Sequence, residues 1–99
     1  YTKAIESNPQ YAMAYYNRGN TYIKLDQFER AIQDYTKAIE INPQYAVAYF
    51  TRGIAYDGLN QKEKALESYQ LFIKYADPNI QGNDIEAIKE RILVLSDGK

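Results

Sequence analysis

The sequence predicts an all-α fold in which antiparallel helix pairs stack side by side and a last helix caps the stack. Three observations support this prediction. The chain repeats itself with a fixed period, the same helix-ending signals recur in each period, and the predicted helices alternate between two kinds of apolar pattern. A period of this size indicates structural units that bury their apolar faces only against their neighbours.

The repeat has a period of 34 residues. Residues 1–34 read YTKAIESNPQYAMAYYNRGNTYIKLDQFERAIQD, residues 35–68 read YTKAIEINPQYAVAYFTRGIAYDGLNQKEKALES, and 20 of these 34 positions are identical. Two copies in register predict two stacked units of the same structure.

Proline marks the first helix of each unit. Asn-Pro dipeptides occupy positions 8–9 and 42–43. The residue before a proline is disfavoured in the α region, whereas a proline itself fits the first turn of a helix. Each dipeptide therefore predicts the end of one helix and the start of the next, so that first helices begin near Tyr11 and Tyr45.

The second helix of each unit is predicted from a capping pattern. Residues 26–29 (DQFE) and 60–63 (NQKE) place an Asp or Asn three residues before a glutamate. In a capping box the first of these side chains accepts a hydrogen bond from the first helical turn, and the glutamate reaches back. Second helices are therefore predicted to begin near Gln27 and Gln61.

Two glycines fall inside the predicted first helices. Gly19 and Gly53 each cost about 0.8 to 1 kcal/mol relative to alanine in a helix interior. Because this cost must be offset, we expect helices to approach closely there, against Ala31 and Ala65.

These residues also match a known family. The first copy carries Tyr15-x-x-Arg18-Gly19-x-x-Tyr22, Ala31-x-x-x-Tyr35 and Pro43, and the second carries Tyr49, Arg52, Gly53, Tyr56, Ala65 and Tyr69. The pattern closely resembles the tetratricopeptide repeat over residues 1–78, except that Arg18 and Arg52 stand where the family most often has leucine. The resemblance implies a right-handed superhelical solenoid of antiparallel helix pairs, in which the first helix of each repeat lines a concave ligand groove.

The chain divides into four segments on this basis. Residues 1–8 are predicted to be the second helix of a truncated repeat, residues 9–42 and 43–77 are complete repeats, and residues 78–99 are a linker and a C-terminal capping helix. An open first repeat would leave a stacking face through which copies of the chain could form a homo-oligomer.

The two kinds of helix carry different faces, and the difference predicts the working surface. The second helices have one apolar stripe, and polar residues that include Asp34 fill their water-facing side. The first helices have two adjacent apolar stripes, one of which is surplus to packing. Because the surplus stripe recurs in both copies, stacking is predicted to align it along one groove for a partner, although a second stripe can also belong to the core.

The predicted ligand-binding residues lie on this surplus stripe and beside it. They are Met13, Tyr16, Asn17, Asn20, Ile23 and Lys24 in the first copy, and Val47, Phe50, Thr51, Ile54 and Asp57 in the second. The apolar members would contact side chains of a partner, while Asn17, Asn20 and Thr51 would satisfy its backbone.

The last predicted helix departs from the repeat. Pro78 comes one residue later than the period requires, residues 77–83 form a longer connection, and Phe72 replaces the small Ala38. We predict a capping helix that starts with a capping box at Asn83. Its inward residues are Ile85, Ile88, Ile92 and Leu95, and its outward residues are Glu86, Lys89, Glu90 and Arg91.

Composition excludes several functions. With no Cys and no His, the chain cannot form a disulfide, a usual zinc site or a Ser-His-Asp relay, so no catalytic residue, metal or cofactor is predicted and the chain is not expected to be an enzyme. A net charge of −1 gives no general attraction to nucleic acid or anionic lipid. No segment is apolar enough for membrane insertion. The compartment stays open, with the cytoplasm favoured for a soluble chain.

The predicted function is a protein-interaction scaffold that binds a peptide segment of a partner in the groove. The alternative is a self-association module that mediates oligomerisation of the parent protein. Arg18 and Arg52 could hold ligand carboxylates or phosphates, or could lie at the packing seam and pair with acids such as Asp34; the second reading is favoured. A clamp for a terminal carboxylate is disfavoured, because Lys24 is the lone base of the groove.

Overall fold

The computed structural model describes the backbone of residues 9–97 and the side chains of residues 11–77 and 85–96. The described chain consists of five α-helices: α1 (Pro9–Lys24), α2 (Phe28–Ile41), α3 (Ala46–Gly58), α4 (Lys62–Tyr75) and α5 (Pro78–Asp97). The helices α1 and α2 pack as one pair and α3 and α4 as another, while α2 contacts α3 and α4 contacts α5. The predicted all-α stack of helix pairs is confirmed. The helix predicted for residues 1–8 lies outside the described residues.

The turns within the two helix pairs differ from the predicted capping boxes. Asp26 and Asn60 have positive φ angles of 58° and 61°, and neither second helix has a side-chain hydrogen bond at its N-cap. In the first turn the N–H of Gln27 donates to the carbonyl oxygen of Tyr22 at 2.9 Å, and the N–H of Asp26 donates to that of Ile23 at 3.0 Å. This is a Schellman motif, whose left-handed residue is tolerated when it is Asp or Asn. The capping-box prediction was wrong, although both helices begin one residue after the predicted starts.

The turn between the repeats is built on the second Asn-Pro dipeptide. Oδ1 of Asn42 accepts a hydrogen bond from the N–H of Gln44 at 3.2 Å, and the N–H of Tyr45 donates to the carbonyl oxygen of Asn42 at 3.0 Å. This Asx turn leaves Pro43 outside the helix, so α3 begins at Ala46. At the first dipeptide the proline is itself the first residue of α1, slightly earlier than predicted.

The core is continuous along the stack. Its buried residues form two clusters, and α3 contributes to both of them. The first cluster comprises Ala12, Ala38, Ile41 and Ala48, and the second comprises Ala46, Tyr49, Ala65, Tyr69, Phe72, Ile85, Ile88 and Leu95. Neighbouring pairs therefore share their apolar interior, as stacked repeat units must.

In each helix pair a glycine of the first helix packs tightly against a tyrosine ring of the second. A β-carbon built on Gly19 would lie 2.7 Å from Cε1 of Tyr35, and one built on Gly53 would overlap the ring of Tyr69. These two tyrosines are 0% and 2% exposed. Close packing at the glycines is therefore confirmed, but the nearest atoms belong to the tyrosine rings and not to the alanines of the motif.

The start of the last helix was predicted wrongly. The helix α5 begins at Pro78 and continues to Asp97, so Asn83 lies inside it and no linker follows residue 77. A proline fits the first position of a helix because the N–H that it lacks has no partner there. The predicted faces are confirmed. Buried or half-buried residues are Ile85, Ile88, Ile92 and Leu95, and exposed residues are Glu86, Lys89, Glu90 and Arg91.

Replacement of Gly19 by alanine should destabilise the protein, although alanine is favoured over glycine in a helix by up to about 1 kcal/mol. The added methyl group has no space beside the buried ring of Tyr35, and overpacking typically costs about 1 to 3 kcal/mol. We expect the free energy of unfolding to fall by about 2 kcal/mol and Tm by roughly 10 °C, measured by urea and thermal denaturation. Ala14→Gly, at an exposed site of α1, is the control for helix propensity. A Gly19→Ala protein that is more stable than the wild type would contradict the proposed contact.

Candidate functional site

The eleven predicted site residues lie on α1 and α3, the first helices of the two repeats, and these helices contact each other. Exposed members are Met13, Asn17, Lys24 and Ile54, and half-buried members are Tyr16, Asn20, Ile23, Val47, Phe50, Thr51 and Asp57. We call these eleven residues the first-helix surface. None of them is fully buried, so each retains area that a partner can contact.

Tyr16 and Phe50 contribute to packing as well as to the surface. The ring centroid of Tyr16 lies 5.8 Å from that of Tyr35 and 5.4 Å from that of Tyr45, so the ring fills the space between α1, α2 and the start of α3. Phe50 stacks on the fully buried Phe72 with a centroid distance of 5.0 Å. The stripe that was predicted to be surplus therefore belongs partly to the core at these two positions.

Two polar residues of the first-helix surface have fixed orientations. The hydroxyl of Tyr35 donates a hydrogen bond to Oδ1 of Asn20. Burial raises the pKa of Tyr35 to about 12, so this hydroxyl keeps its proton at neutral pH. The hydroxyl of Thr51 donates to the carbonyl oxygen of Val47 at 2.9 Å. Asn20 therefore offers its amide nitrogen as a donor.

Asp57 is engaged within the chain. Its carboxylate accepts hydrogen bonds from Nε and Nη2 of Arg91 at 2.7 and 2.6 Å, and from the hydroxyl of Tyr69 at 3.1 Å. The hydrogen bonds from Arg91 hold the pKa of Asp57 below its ordinary value. These contacts tie α3 to α5. Sequence analysis placed Arg91 on the outward face but missed this ion pair, because α5 carries no repeat pattern that would indicate its register against α3.

Arg18 has the structural role that was favoured for it. Its Nε and Nη2 donate to Oδ2 and Oδ1 of Asp34 at 2.7 and 2.8 Å. Asp34 is only 4% exposed, so its placement on the water-facing side of α2 was wrong: the carboxylate is turned toward α1, where the guanidinium compensates its charge. The hydrogen bonds with Asp34 raise the pKa of Arg18 further above its ordinary value.

Arg52, the equivalent residue of the second repeat, has a different polar partner. Its Nε donates to Oγ of Ser68 at 3.1 Å. Its guanidinium carbon lies 5.4 Å from the ring centroid of Tyr49 and 6.0 Å from that of Tyr56. Arg18 lies over the equivalent rings of Tyr15 and Tyr22, at 5.7 and 6.0 Å from their centroids. The two arginines therefore differ in their polar partner, which is a hydroxyl for Arg52 and a carboxylate for Arg18.

Among the residues whose positions are described, no three or more His, Cys, Asp or Glu are grouped so that they could hold a metal ion. Within the same part of the chain no helix combines the length and the apolar character needed to cross a membrane. Stacked helix pairs that share a continuous core and present a half-buried aromatic and apolar surface define the class of helical repeat scaffolds.

Comparison with known proteins identifies the family. Two models described as tetratricopeptide repeat match residues 12–45 and 34–67, and together they cover more than half of the 99 residues. The chain belongs to the tetratricopeptide-repeat family. Repeats of this family form a non-enzymatic scaffold that generally mediates protein–protein interactions.

A solved structure shows the same fold. The solution NMR structure of a tetratricopeptide repeat domain protein from Salinibacter ruber is 21% identical to this chain, covers 93% of each chain and superposes with a TM-score of 0.76. Comparison with curated proteins gives no match. The likeness confirms an all-α, tetratricopeptide-like solenoid.

The ion pair between Asp57 and Arg91 should make stability depend on pH on the acidic side. Because the pKa of Asp57 is lower in the folded chain than its ordinary value of about 3.9, its contribution is complete above that value and is lost as the pH falls through the folded pKa. Asp57→Asn should lower the free energy of unfolding by about 1 kcal/mol at pH 7, and by progressively less below pH 4. Urea denaturation at a series of pH values measures this difference. Glu86→Gln, at an exposed carboxylate of α5, is the control. If the loss of unfolding free energy in Asp57→Asn stays constant down to pH 2, the ion pair between Asp57 and Arg91 does not stabilise the fold.

Proposed function

We propose that the chain binds a peptide segment of a partner protein against the first-helix surface. The observation that carries the proposal is the exposure of two apolar side chains on neighbouring helices: Met13 on α1 is 55% exposed and Ile54 on α3 is 39% exposed. Large exposed apolar side chains that lie beside half-buried aromatic rings are typical of protein interaction sites.

The proposed recognition combines apolar contact with a few hydrogen bonds. Met13 and Ile54 contact apolar side chains of the bound segment, and a flexible methionine adapts to different shapes. The amide nitrogen of Asn20, whose oxygen is already held by Tyr35, donates to the segment's backbone, and exposed Asn17 supplies a second amide. A surface of only two repeats buries little area, so we expect binding in the micromolar range.

The proposal is tested with peptides selected from a display library on the wild-type chain. Met13→Ser and Ile54→Ser should each weaken binding of the selected peptides about tenfold, because each removes roughly 1.5 kcal/mol of apolar contact. Isothermal titration calorimetry measures the Kd, and circular dichroism shows that the variants fold.

Leu25→Ser is the matched control, since Leu25 is 58% exposed but lies in the turn after α1 and is not one of the eleven residues of the first-helix surface. Selected peptides that bind Leu25→Ser as weakly as the other variants would locate recognition elsewhere. A library that yields no peptide dependent on Met13 or Ile54 would overturn the proposal.

Self-association is the second candidate, and one observation favours it. Leu93 and Val94 on α5 are 62% and 57% exposed, which gives the outer side of the last helix an apolar character. The predicted route through an open N-terminal repeat face concerns residues 1–8, outside the described part of the chain. Sedimentation from micromolar to millimolar concentrations tests the candidate. Dimers that dissociate in the double variant Leu93→Ser, Val94→Ser would support it, and a monomer at every concentration would reject it.

A further inference from the structure

The two arginines of the repeat motif lie over equivalent tyrosine rings but have different hydrogen-bond partners. Arg18 makes a two-point ion pair with the buried Asp34. In the second repeat the position of Asp34 is taken by Ser68, which is 0% exposed and accepts one hydrogen bond from Arg52. Among residues 11–77 and 85–96 no carboxylate forms an ion pair with Arg52. The second repeat therefore keeps the cation and loses its internal anion.

A second acidic residue of the first repeat, Glu40, is also replaced by a cation in the second repeat. Glu40 lines the cleft between α1 and α2, a cavity of about 460 Å³, and pairs with Lys37 at 3.8 Å. The residue 34 positions later is Lys74, whose Nζ lies 5.3 Å from the ring centroid of Tyr75. The ring of Tyr75 stacks on that of Tyr49 with a centroid distance of 5.6 Å. Lys74 thus adds a positive charge next to the rings on which Arg52 lies.

The cations of the second repeat share a set of aromatic rings. Nζ of Lys64 lies 5.8 Å from the ring centroid of Tyr56, the ring that also contacts Arg52. A ring face attracts a cation without neutralising its charge, so the charge stays available to an anion. Exposed Glu67 is an acid that this repeat adds on α4, and it forms no ion pair within the described residues. We call this group the Arg52 cleft; it consists of Arg52, Lys64, Lys74, Tyr49, Tyr56 and Tyr75.

We infer that the Arg52 cleft binds a carboxylate side chain from an acidic segment of a partner protein. The first repeat supplies the template, because there a carboxylate receives Nε and Nη2 of the equivalent arginine. With Ser68 in place of the aspartate, Arg52 has its Nη groups available for a carboxylate from outside the chain. A planar guanidinium suits such two-point contact, and Lys64 and Lys74 attract further acidic residues of the same segment.

The Arg52 cleft is separate from the first-helix surface. At 100° per residue, Arg52 projects from α3 roughly 160° away from Ile54. The chain as a whole has a net charge of −1, so attraction of an acidic segment depends on this local group of cations and not on a general positive field. Binding at the cleft and binding at the first-helix surface can therefore be measured independently.

The test follows the Nε–H signals of the four arginines by NMR during titration with an N-acetylated, C-amidated hexaglutamate peptide. The Arg52 signal should shift and saturate, while the Arg18 signal, held by Asp34, should not move. Ser68→Asp places an internal carboxylate at the position that Asp34 occupies in the first repeat, and should weaken hexaglutamate binding at least tenfold. Ser68→Asn is the matched uncharged control and should retain binding.

Several controls make the outcome decisive. Urea denaturation checks that Ser68→Asp folds. If this variant does not fold, Arg52→Gln is used instead, and the NMR chemical shifts of Lys64 and Lys74 during the titration report hexaglutamate binding. Met13→Ser should bind hexaglutamate like the wild type, which separates this site from the first-helix surface. An Arg52 signal that does not respond, or a Ser68→Asp variant with wild-type affinity, would overturn the inference. Saturation by inorganic phosphate at a lower concentration than by hexaglutamate would also overturn it, and would assign the cleft to phosphate.

Discussion

The packing of a tyrosine ring against a helical glycine determines the geometry of each repeat. Tyr35 and Tyr69 occupy the space that a side chain would take at the glycine opposite, so the two helices of a pair approach more closely than any larger residue would permit. The same rings reach through the pair to the surface of the first helix. One hydroxyl donates to Asn20 and the other to Asp57. Core packing thereby orients two polar groups of the candidate site.

The helix pairs could be predicted from the sequence because their signals are local and repeated. A 34-residue period and two Asn-Pro dipeptides are sufficient to predict how many helices the repeats contain and to place the helix ends within a few residues. The turns could not be predicted in the same way, because an Asp or Asn followed three residues later by Glu is compatible with a helix start and with a helix end. At Asp26 and Asn60 the backbone hydrogen bonds of the Schellman motif decide between them. Pro78 is the first residue of α5, whereas the longer connection between residues 77 and 83 predicted a later start.

The candidate site could be predicted only in part, for a related reason. Helical periodicity correctly placed Met13 and Ile54 on exposed positions of the first helices. It could not show that Tyr16 and Phe50 also pack on neighbouring rings, since that depends on how closely successive helices approach. Nor could it show the ion pair from Arg91, which joins two helices with no shared sequence pattern. To predict contacts between helices, one must know the register in which the helices pack. No periodic pattern in the sequence indicates that register.

The buried tyrosines also give the fold an upper pH limit. Burial raises the pKa of Tyr35 to about 12 and raises the pKa of Tyr69 as well, whereas a tyrosine of the unfolded chain ionises near 10. The stabilisation that comes from keeping these rings neutral is therefore complete below pH 10, and it is lost as the pH rises toward the folded pKa. Tyrosinate absorbs ultraviolet light differently from tyrosine. Because the chain has eleven tyrosines, the two rings that hold the helix pairs together are expected to contribute a late step to the rise of tyrosinate absorbance, and that step follows alkaline unfolding without an added label.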